Sequence, residues 1–583
     1  SGLIMDDSKP QVHQRPFVWI VSGLALLWLS QPPFELGVLA WLAPMALIHA
    51  SQLLTGTATK AEDSKPNWYQ RPILMMWICG AVYWLISIQG VRLAHWSTHF
   101  GWLALGFYLG IYIPLFLLGT NWLQRGLKLP VPIAAAISWT GGELIRAYGL
   151  SGFSVVMIAQ SQLNWLPFVQ IADLQGAYLI SFVIVFICGC GYLLTLRIMA
   201  HARGAPICGT MAGYYLPALG ITSVLMAVLS YGHHRIDQLQ TADEPLVTLA
   251  LMQGATDTQF GLSIDESTRQ LQQQLNSYLD RSAAAVANHA VDVVVWPESA
   301  FSYYADYIGD QEITAVPQNL PFIHDFDTDH FRHHVDLQRR SFSSLIQQAL
   351  HTIRGGNNEL PVSLMVGCET DEIRGDRIHR YNAALSISTD GHVEQRYFKN
   401  HLVMFGEYIP GGSWFPWLYN LIPNVQNMEA GTEHTVFEIN GVRFAPSICF
   451  ESTVPHLIRG SVLRMTEQSK IPDVLINFTN DGWFWGSEIL DHHFRCNVLR
   501  AIEMRKPVLV SANTGISTWV DRIGNIREKS GKRVEDTIIA QVGKSSIESI
   551  YLRYGDILAW TCLALLAIAW IRRRNFDVTE QQE

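Results

Sequence analysis

Charged residues are scarce in this chain of 583 residues: they make up 16% of it, whereas hydrophobic residues make up 49%. Soluble domains usually carry about a quarter charged residues, so the composition indicates a membrane component. The net charge of −9 and the lack of a dense Lys/Arg stripe exclude a typical nucleic-acid-binding protein. The eight cysteines include no CxxC pair, and no His/Cys cluster has zinc spacing, so we predict no metal site.

The stretch Asp491-His492-His493 is the one place that could suggest a metal ligand set. Adjacent histidines on a helix point to different faces, and no further ligand has a helpful spacing. Ordinary packing is therefore the favoured interpretation of both histidines.

Long uncharged runs are confined to two parts of the chain. Eight of them are long enough, or nearly so, to cross a bilayer: 17–30, 36–54, 72–91, 101–123, 131–148, 172–198, 214–232 and 556–571. With a cytoplasmic N-terminus, twelve Lys and Arg residues fall on inside segments and two, Arg92 and Arg146, fall outside. The positive-inside rule therefore places residues 233–555 outside the cytoplasm and both termini inside.

These runs predict five segments. Residues 1–15 are an N-terminal tail whose first four residues, ahead of Met5, read as an expression remnant; 16–232 form a bundle of seven transmembrane helices; 233–555 form an extracytoplasmic soluble domain; 556–573 form a last transmembrane helix; and 574–583 are a cytoplasmic tail. The fifth run carries Glu143 and Arg146 on one helix face. They form either a polar patch for a lipid headgroup or substrate, or an interfacial pair where the helix ends early.

The soluble segment alternates strand and helix patterns, as an α/β layered fold does. Strands are predicted at 246–253, 291–296, 362–368, 381–388, 393–398, 442–448, 473–478, 507–512 and 516–520, and helices at 263–289, 337–354 and 487–505. Asp390-Gly391 and Asn440-Gly441 read as hairpin turns. The stretch 302–345 breaks the rhythm, and we predict that 302–335 is an inserted loop at the rim of the sheet.

Three residues that could do chemistry follow three predicted strands. Glu298 follows Trp296 through Pro297, which cannot continue the ladder; Lys399 and Cys449 end the strands that begin at 393 and 442. Strand ends of a layered sheet line one crevice, so the three side chains are expected to meet. A carboxylate base, an ammonium and a thiol form a complete set for acyl transfer.

Each residue alone has a plain structural alternative: a solvated carboxylate, a rim charge or an inert core thiol. The soluble segment also holds Cys368 and Cys496, and this odd number of cysteines leaves at least one free thiol. Whether Cys368 and Cys496 pair is left open. The joint occurrence of the three candidates is what favours an active site.

The stretches Trp296-Pro-Glu298-Ser, Lys399-Asn-His-Leu-Val-Met-Phe-Gly-Glu407-Tyr-Ile-Pro and Ser447-Ile-Cys449-Phe-Glu451 resemble the three signature blocks of the nitrilase superfamily, which uses a Glu-Lys-Cys triad. With seven helices before the soluble domain and one after it, the chain resembles the apolipoprotein N-acyltransferase family, the membrane-bound branch. The resemblance covers almost the whole chain. It implies a multi-helix transmembrane bundle of about eight helices plus a nitrilase-like α-β-β-α sandwich.

The resemblance also implies an activity. An acyl chain passes from a membrane phospholipid, expected to be phosphatidylethanolamine, to a thioester on Cys449 and then to the N-terminal diacylglyceryl-cysteine of an apolipoprotein. Glu298 is implied as general base, Lys399 as oxyanion stabiliser, and Glu407 and Glu451 as supporting carboxylates. The chemistry calls for no metal and no organic cofactor. A multi-pass bacterial inner-membrane protein with a periplasmic catalytic domain is implied, and the bulky bundle favours a monomer.

Aromatic residues give the soluble domain a means to reach lipid. Trp414, Phe415 and Trp417 follow two glycines in the stretch 411–421, and Trp and Tyr favour membrane interfaces. We expect this aromatic flap, residues 411–421, to gate the site, and Trp483 and Trp485 to line an acyl pocket. Ordinary core packing is the alternative for both groups. Phe450 stands where many family members have tyrosine, so it is expected to shape the acyl pocket by packing.

Two other functions stay open at this point. A membrane-tethered amidase of the same superfamily would hydrolyse its acyl-enzyme, and it would need neither a lipid-directed flap nor a many-helix bundle. A transporter or receptor would bind a ligand without using the three candidate residues.

Overall fold

A computed structural model describes residues 15–57, 72–203, 212–240, 244–259, 261–307, 313, 316–317, 327–374, 376–412, 414–415, 417, 425, 427–545 and 547–580. The chain divides into two compact units. The first takes in the described residues up to Gln89, His99–Gln240 and those from Ser549 onward. The second, here called the sandwich unit, takes in Gly90–Thr98 and the described residues of Thr241–Glu548.

The first unit is helical. Its helices are α1 (Pro16–Leu29), α2 (Ala43–Thr57), α3 (Pro72–Ser87), α4 (Thr98–Gly110), α5 (Tyr112–Leu127), α6 (Val131–Tyr148), α7 (Leu166–Val169), α8 (Ala172–Ala202), α9 (Ala212–Leu239), α14 (Ile550–Tyr554) and α15 (Ile557–Glu580). Each predicted apolar run falls on one or two of these helices.

Four described spans are long and apolar enough to cross a membrane: Gly37–Leu54, Thr98–Leu127, Ala172–Ala202 and Tyr214–Leu239. The helices α1 and α3 are apolar but shorter. The predicted count of about eight crossings is therefore not confirmed. Some predicted crossings fall on helices that are too short or too polar to be counted: α1 has only 14 residues, and α6 carries two ionisable side chains.

Glu143 and Arg146 of α6 lie inside the helical unit. Glu143 accepts hydrogen bonds from the Trp139 indole at 3.0 Å and the Ile158 N–H at 3.3 Å. The Arg146 guanidinium donates to the Val155 carbonyl at 2.9 Å and lies over the Trp84 ring. Both side chains are buried. The helix does not end before the pair, because α6 continues to Tyr148 with Arg146 in its last turn.

The sandwich unit contains twelve described strands: β1 (Val247–Gln253), β2 (Val293–Tyr307), β3 (Ser363–Arg374), β4 (Arg377–Ile387), β5 (Val393–Phe398), β6 (Phe437–Ile439), β7 (Val442–Ile448), β8 (Val474–Thr479), β9 (Val508–Ala512), β10 (Thr518–Val520), β11 (Ile526–Lys529) and β12 (Asp536–Val542). They form two six-stranded sheets, in the orders β12-β1-β2-β3-β4-β5 and β11-β10-β9-β8-β7-β6. Three neighbouring strands in each sheet run parallel, β1-β2-β3 in the first and β7-β8-β9 in the second, and the remaining pairs are antiparallel.

Apolar side chains from both sheets share one core. Leu249 and Val295 of the first sheet belong to the same buried cluster as Phe444 and Ile476 of the second. The outer faces carry the helices α10 (Ile264–Asn288), α11 (Thr328–Ile353), α12 (Pro455–Glu467) and α13 (Glu488–Met504). The α-β-β-α sandwich implied by the resemblance is thus present.

Most predicted elements lie within a few residues of the observed ones, and both predicted hairpin turns are found. Asn440 and Gly441 both have positive φ between β6 and β7, as a tight two-residue hairpin requires. The prediction missed α12 and the strands β11 and β12, and it gave no bounds for β6, the run before the Asn440-Gly441 turn. The strand β12 is hard to find from sequence because it pairs with β1, almost 300 residues earlier.

The prediction of an inserted loop over 302–335 is wrong at both ends. β2 continues to Tyr307 and stays paired with β3, and α11 begins at Thr328 rather than at 337. Asp327 caps α11 by accepting a hydrogen bond from the His330 N–H. Most of 308–326 lies outside the described residues.

Candidate active site

Glu298 lies inside β2, not at its end. The ladder with β3 pairs Trp296 with Val366 and next pairs Phe301 with Cys368, so five residues of β2 advance against two of β3. Pro297 therefore interrupts the pairing as predicted, but the strand resumes, and Ser299 takes a positive φ in the bulge. Such bulges re-aim side chains beside active sites. Here the bulge carries the Glu298 carboxylate.

Two asparagines fix the Glu298 carboxylate, one through its side chain and one through its backbone amide. The Asn382 side chain donates to Oε1 at 2.6 Å, and the Asn480 N–H donates to Oε2 at 2.6 Å. Glu298 is 7% exposed, and this burial raises its pKa above the ordinary value, although the positive charge of Lys399 opposes the rise. A carboxylate with a raised pKa suits a general base.

Lys399 directly follows β5 and is almost fully buried, at 1% exposure. Its Nζ lies 2.8 Å from Oε1 of Glu407 and 3.6 Å from Oε1 of Glu298. Burial by itself would lower the pKa of Lys399, but the Glu407 and Glu298 carboxylates raise it above the ordinary value. The side chain therefore stays an ammonium in the site.

Both carboxylate oxygens of Glu407 accept hydrogen bonds. Its Oε1 accepts from Lys399 and also from Asn382 at 2.9 Å, while its Oε2 accepts from the Val403 N–H at 2.8 Å. Asn382 therefore links the two carboxylates that face Lys399. Predicting this asparagine from sequence was difficult because it lies within β4, between two hydrophobic residues.

Cys449 opens a short 3-10 turn, Cys449–Thr453, at the end of β7. Its φ of 52° is in the left-handed region, which costs a non-glycine residue about 1–2 kcal/mol. Burial and the negative charge of Glu298 hold the pKa of the thiol well above its ordinary value, while Lys399 lowers it. The thiol is thus protonated at rest and needs a base to become a thiolate. The charges of Glu298 and Lys399 both affect its pKa.

Glu451 connects the Lys399 segment to the Cys449 turn. Its carboxylate accepts from the N–H groups of Ile448, Asn400 and His401 at 2.7–3.0 Å, and from the Tyr397 hydroxyl. Burial raises the pKa of Glu451 to about 7 in spite of these donors. Its contacts are with the backbone that carries Lys399 and Cys449.

The predicted lipid-contact residues differ in exposure. Trp414, Phe415 and Trp417 are 81%, 53% and 57% exposed, so these three do not pack in the core. Residues 413, 416 and 418–424 lie outside the described part, and they include the rest of the aromatic flap.

The other aromatic candidates have protein neighbours. Phe450 stacks on His401 with ring centroids 6.1 Å apart. Trp485 is 42% exposed beneath the Arg533 guanidinium, and Trp483 is half-buried.

The Asp491-His492-His493 side chains diverge, as the helical spacing predicts. Asp491 pairs with Lys532, whereas His493 bonds to Asp481 and Ser452. Cys368 and Cys496 are both buried, and neither forms a disulfide in the part of the chain that the structure describes.

Besides Asn382, the sequence reasoning missed Asn480 and Tyr397. Asn480 directly follows β8 at a fourth strand end, and that signal could have identified it by the same argument as Lys399 and Cys449. Tyr397 lies inside β5, where nothing in the pattern separates it from a packing residue.

Taken together, the site holds a carboxylate base, a protonated lysine and a thiol in a partly enclosed setting. Such a set can take a proton from the thiol, direct the thiolate at a carbonyl carbon and stabilise the oxyanion that forms. It is suited to covalent acyl chemistry.

Comparisons with known proteins show the family of this chain. Residues 248–551 match the carbon-nitrogen hydrolase family model, and residues 22–190 match that of the apolipoprotein N-acyltransferase N-terminal domain. An apolipoprotein N-acyltransferase of Rhodopirellula baltica is 30% identical over 577 residues, covering 94% of this chain and 97% of that one. The chain belongs to the apolipoprotein N-acyltransferase family.

Another apolipoprotein N-acyltransferase, from Geobacter metallireducens, is 28% identical and covers 96% of this chain and 95% of its own. Among solved structures, a mutant form of a nitrilase-superfamily amidase from Nesterenkonia is 14% identical with a TM-score of 0.32. The match covers 52% of this chain and 93% of that one. Apolipoprotein N-acyltransferases are a class of acyltransferase, so this chain is an enzyme. Its apolar helices fit a membrane protein.

Proposed function

We propose that this enzyme N-acylates the N-terminal diacylglyceryl-cysteine of apolipoproteins with an acyl chain from a membrane phospholipid. The observation that carries the proposal is the set of the buried Glu298 and Lys399 with the half-buried Cys449, in a chain whose relatives carry this activity in their names. The expected donor is phosphatidylethanolamine.

In the first half-reaction Glu298 takes the proton from the Cys449 thiol. The thiolate attacks the ester carbonyl of the phospholipid, and the positive charge of Lys399 stabilises the oxyanion, an effect worth about 3 kcal/mol per donor. The C–S bond forms, the C–O bond to glycerol breaks, and the proton on Glu298 passes to the leaving alkoxide. The products are a Cys449 thioester and a lysophospholipid.

In the second half-reaction the α-amine of the acceptor attacks the thioester. The C–N bond forms and the C–S bond breaks, while the amine proton passes through Glu298 to the Cys449 sulfur. Free enzyme and N-acylated lipoprotein result. Water must be kept from the thioester during this exchange, which a dry cleft favours.

The remaining site residues have supporting tasks. Glu407 bonds Lys399 at 2.8 Å and so aims the ammonium. Glu451 holds the backbone on both sides of the site by accepting from three backbone N–H groups. Phe450, Trp483 and Trp485 would line the acyl pocket, with Phe450 acting through packing.

The exposed aromatics support a lipid-directed role for the aromatic flap. Trp414, Phe415 and Trp417 present large apolar area to the surroundings, and aromatic rings of this kind favour the headgroup level of a bilayer. We infer that the flap dips toward the lipid and admits the donor.

The proposal includes the membrane topology. About eight crossings, seven before the catalytic domain of residues 233–555 and one after it, would put that domain on the periplasmic side of a bacterial inner membrane with both termini in the cytoplasm. The Lys/Arg asymmetry supports this orientation. A monomer is expected.

Intact mass spectrometry of the full chain tests the function. After incubation with phosphatidylethanolamine, the protein should gain one acyl mass, and a diacylglyceryl lipopeptide should remove it as an amide. Cys449→Ala should abolish the adduct, whereas Cys79→Ala, at a half-buried cysteine on α3 of the helical unit, is the matched control. Release of free fatty acid without amide product would instead support the amidase, and no adduct at all would refute acyl transfer.

A further inference from the structure

A chain of buried hydrogen bonds connects Asp481 to the backbone of Cys449. His493 Nδ1 lies 3.2 Å from Oδ1 of Asp481, and His493 Nε2 lies 2.9 Å from the Ser452 Oγ. The Ser452 hydroxyl in turn lies 3.3 Å from the Cys449 carbonyl oxygen. Asp481, His493 and Ser452 are at most 7% exposed. The acyl-transfer steps above give these three residues no task.

The Cys449 carbonyl matters because the cysteine has a strained backbone. With φ at 52°, the residue needs outside contacts to keep its shape. The Asn477 side chain donates to the carbonyl oxygen at 3.3 Å, and the Ser452 hydroxyl is the second donor. Together they fix the peptide plane that follows Cys449, and hence the direction of the thiol.

The hydrogen-bond chain from Asp481 to Cys449 has two states, which differ in the number of hydrogens it holds. Ser452 has a single hydroxyl hydrogen. If that hydrogen points at the Cys449 carbonyl, the Ser452 oxygen must accept a hydrogen bond from His493, so Nε2 carries a hydrogen. The carboxylate of Asp481 already requires a hydrogen on Nδ1. His493 is then an imidazolium. If His493 is neutral and keeps Nδ1–H toward Asp481, Nε2 becomes an acceptor, the hydroxyl turns to it, and the Cys449 carbonyl loses a donor.

The charges around His493 favour the imidazolium. Burial alone would lower the pKa of His493, but Asp481 from the 3-10 turn after β8, Glu298 from β2 and the Cys449 carbonyl raise it above the ordinary value. On its own helix α13, Asp491 is paired with Lys532.

Further ionisable groups lie on α13 itself and on the neighbouring helix α12. Arg500 of α13 pairs with Glu503 at 2.8 Å. Burial lowers the pKa of His456 of α12, and the positive charges of His401 and Arg500 lower it further.

We propose that His493 is a positioning residue for the nucleophile: held by Asp481, its imidazolium directs the Ser452 hydroxyl onto the Cys449 carbonyl and keeps the turn in its reactive shape. Loss of the proton releases that contact. The inference rests on the proposed function for its role in catalysis, but the contacts it uses are independent of the acyl donor.

The test compares rates with and without the Ser452 hydroxyl over a range of pH. For the full-length protein with phosphatidylethanolamine, the rate of Cys449 acylation in the wild type should exceed that of Ser452→Ala about tenfold at low pH. The ratio of the wild-type rate to the Ser452→Ala rate should fall toward one as the pH rises and His493 loses its proton. In an Asp481→Asn background, the rate ratio with and without the Ser452 hydroxyl should reach one at a lower pH than with Asp481 present. The reason is that the neutral amide no longer stabilises the imidazolium.

His493→Gln should lower the acylation rate about tenfold to a hundredfold with little change in KM for the phospholipid. His492→Gln is the matched control, since His492 is buried on the same helix and its pKa is lowered to about 3 by burial, Arg495 and Lys532. The control should keep the wild-type pH profile. Should His493→Gln fail to fold, the Ser452 and Asp481 variants still decide the question.

A second readout separates this inference from the proposed function. Alkylation of Cys449 by iodoacetamide, followed on its peptide by mass spectrometry, needs no acyl substrate. If the pH-dependent Ser452 advantage appears in alkylation while phosphatidylethanolamine gives no adduct, the inference holds and the function is wrong. A Ser452→Ala to wild-type ratio that is constant with pH in both assays would overturn the inference and leave the function untouched.

Discussion

Gly367 of β3 lies against the backbone of Glu298, so closely that a Cβ at Gly367 would come within 2.5 Å of the Glu298 Cα. The contact falls at the bulge that carries the carboxylate of the proposed general base. A side chain at position 367 has no flexible neighbour to displace, because the atoms it meets are main chain.

Gly367→Ala should therefore displace Glu298 and lower the rate of Cys449 acylation about a hundredfold, since a shift near 1 Å can cost that much. The measurement is single-turnover acylation from phosphatidylethanolamine. Gly460→Ala in α12 is the control, because no atom lies within 4 Å of a Cβ at that position. It should keep full activity and gain stability, by about 0.5–1 kcal/mol. Equal rates for Gly367→Ala and the wild type would contradict the assignment of Glu298 as base.

The raised pKa of Glu298 predicts the acid side of the pH–rate profile. Glu298 must be ionised to accept the thiol proton, so activity should fall as the pH drops through a pKa above the ordinary 4.5. The charge of Glu407 contributes to that rise. Glu407→Gln should therefore move the acid limb to lower pH, and it should also reduce the plateau because Lys399 loses its 2.8 Å partner.

Steady-state rates across the acid and neutral pH range check this expectation. Glu394→Gln, at an exposed carboxylate on β5, is the matched control and should leave the profile unchanged. An acid limb that stays in place in Glu407→Gln would mean that another group controls it.

Glu451→Gln should destabilise the sandwich unit. An amide offers one acceptor oxygen where the carboxylate has two, and its NH2 group would face donors. We expect a loss of about 2–4 kcal/mol in the free energy of unfolding, measured by chemical denaturation in detergent. Glu438→Gln removes an exposed pair with Arg443 and should change stability by under about 1 kcal/mol.

The exposed Trp414 should meet lipid. In vesicles that contain brominated phospholipid, Trp414→Phe should lose part of the tryptophan quenching seen in the wild type. Trp519→Phe, at a half-buried ring packed on the core between the sheets, should not. Equal quenching in the wild type and Trp414→Phe would argue against the aromatic flap reaching the bilayer.

The layered fold and the clustering of the three candidates could be predicted because strand ends are readable from sequence. Lys399 and Cys449 directly follow the strands predicted at 393–398 and 442–448, and the sandwich brings the end of β5 beside the end of β7. Their roles in acyl transfer remain predictions that the experiments above address.

What escaped prediction depends on pairing between distant residues. Pro297 marks a break in the ladder, but only the partner strand β3 reveals that β2 resumes at Phe301. His493 was expected to pack in the core, and only the folded chain shows that Ser452, 41 residues earlier, lies at its Nε2. A sequence pattern records neither relationship.

The pairing of β12 with β1 has a consequence for synthesis. Val247–Gln253 finds its outer partner only when Asp536–Val542 has been made, so the first sheet keeps a bare apolar edge while nearly 290 residues are translated. Unpaired edges of this kind invite association between chains. A nascent chain stalled before Asp536 should therefore be a target for chaperones or proteases, although every residue of the proposed triad has already been translated.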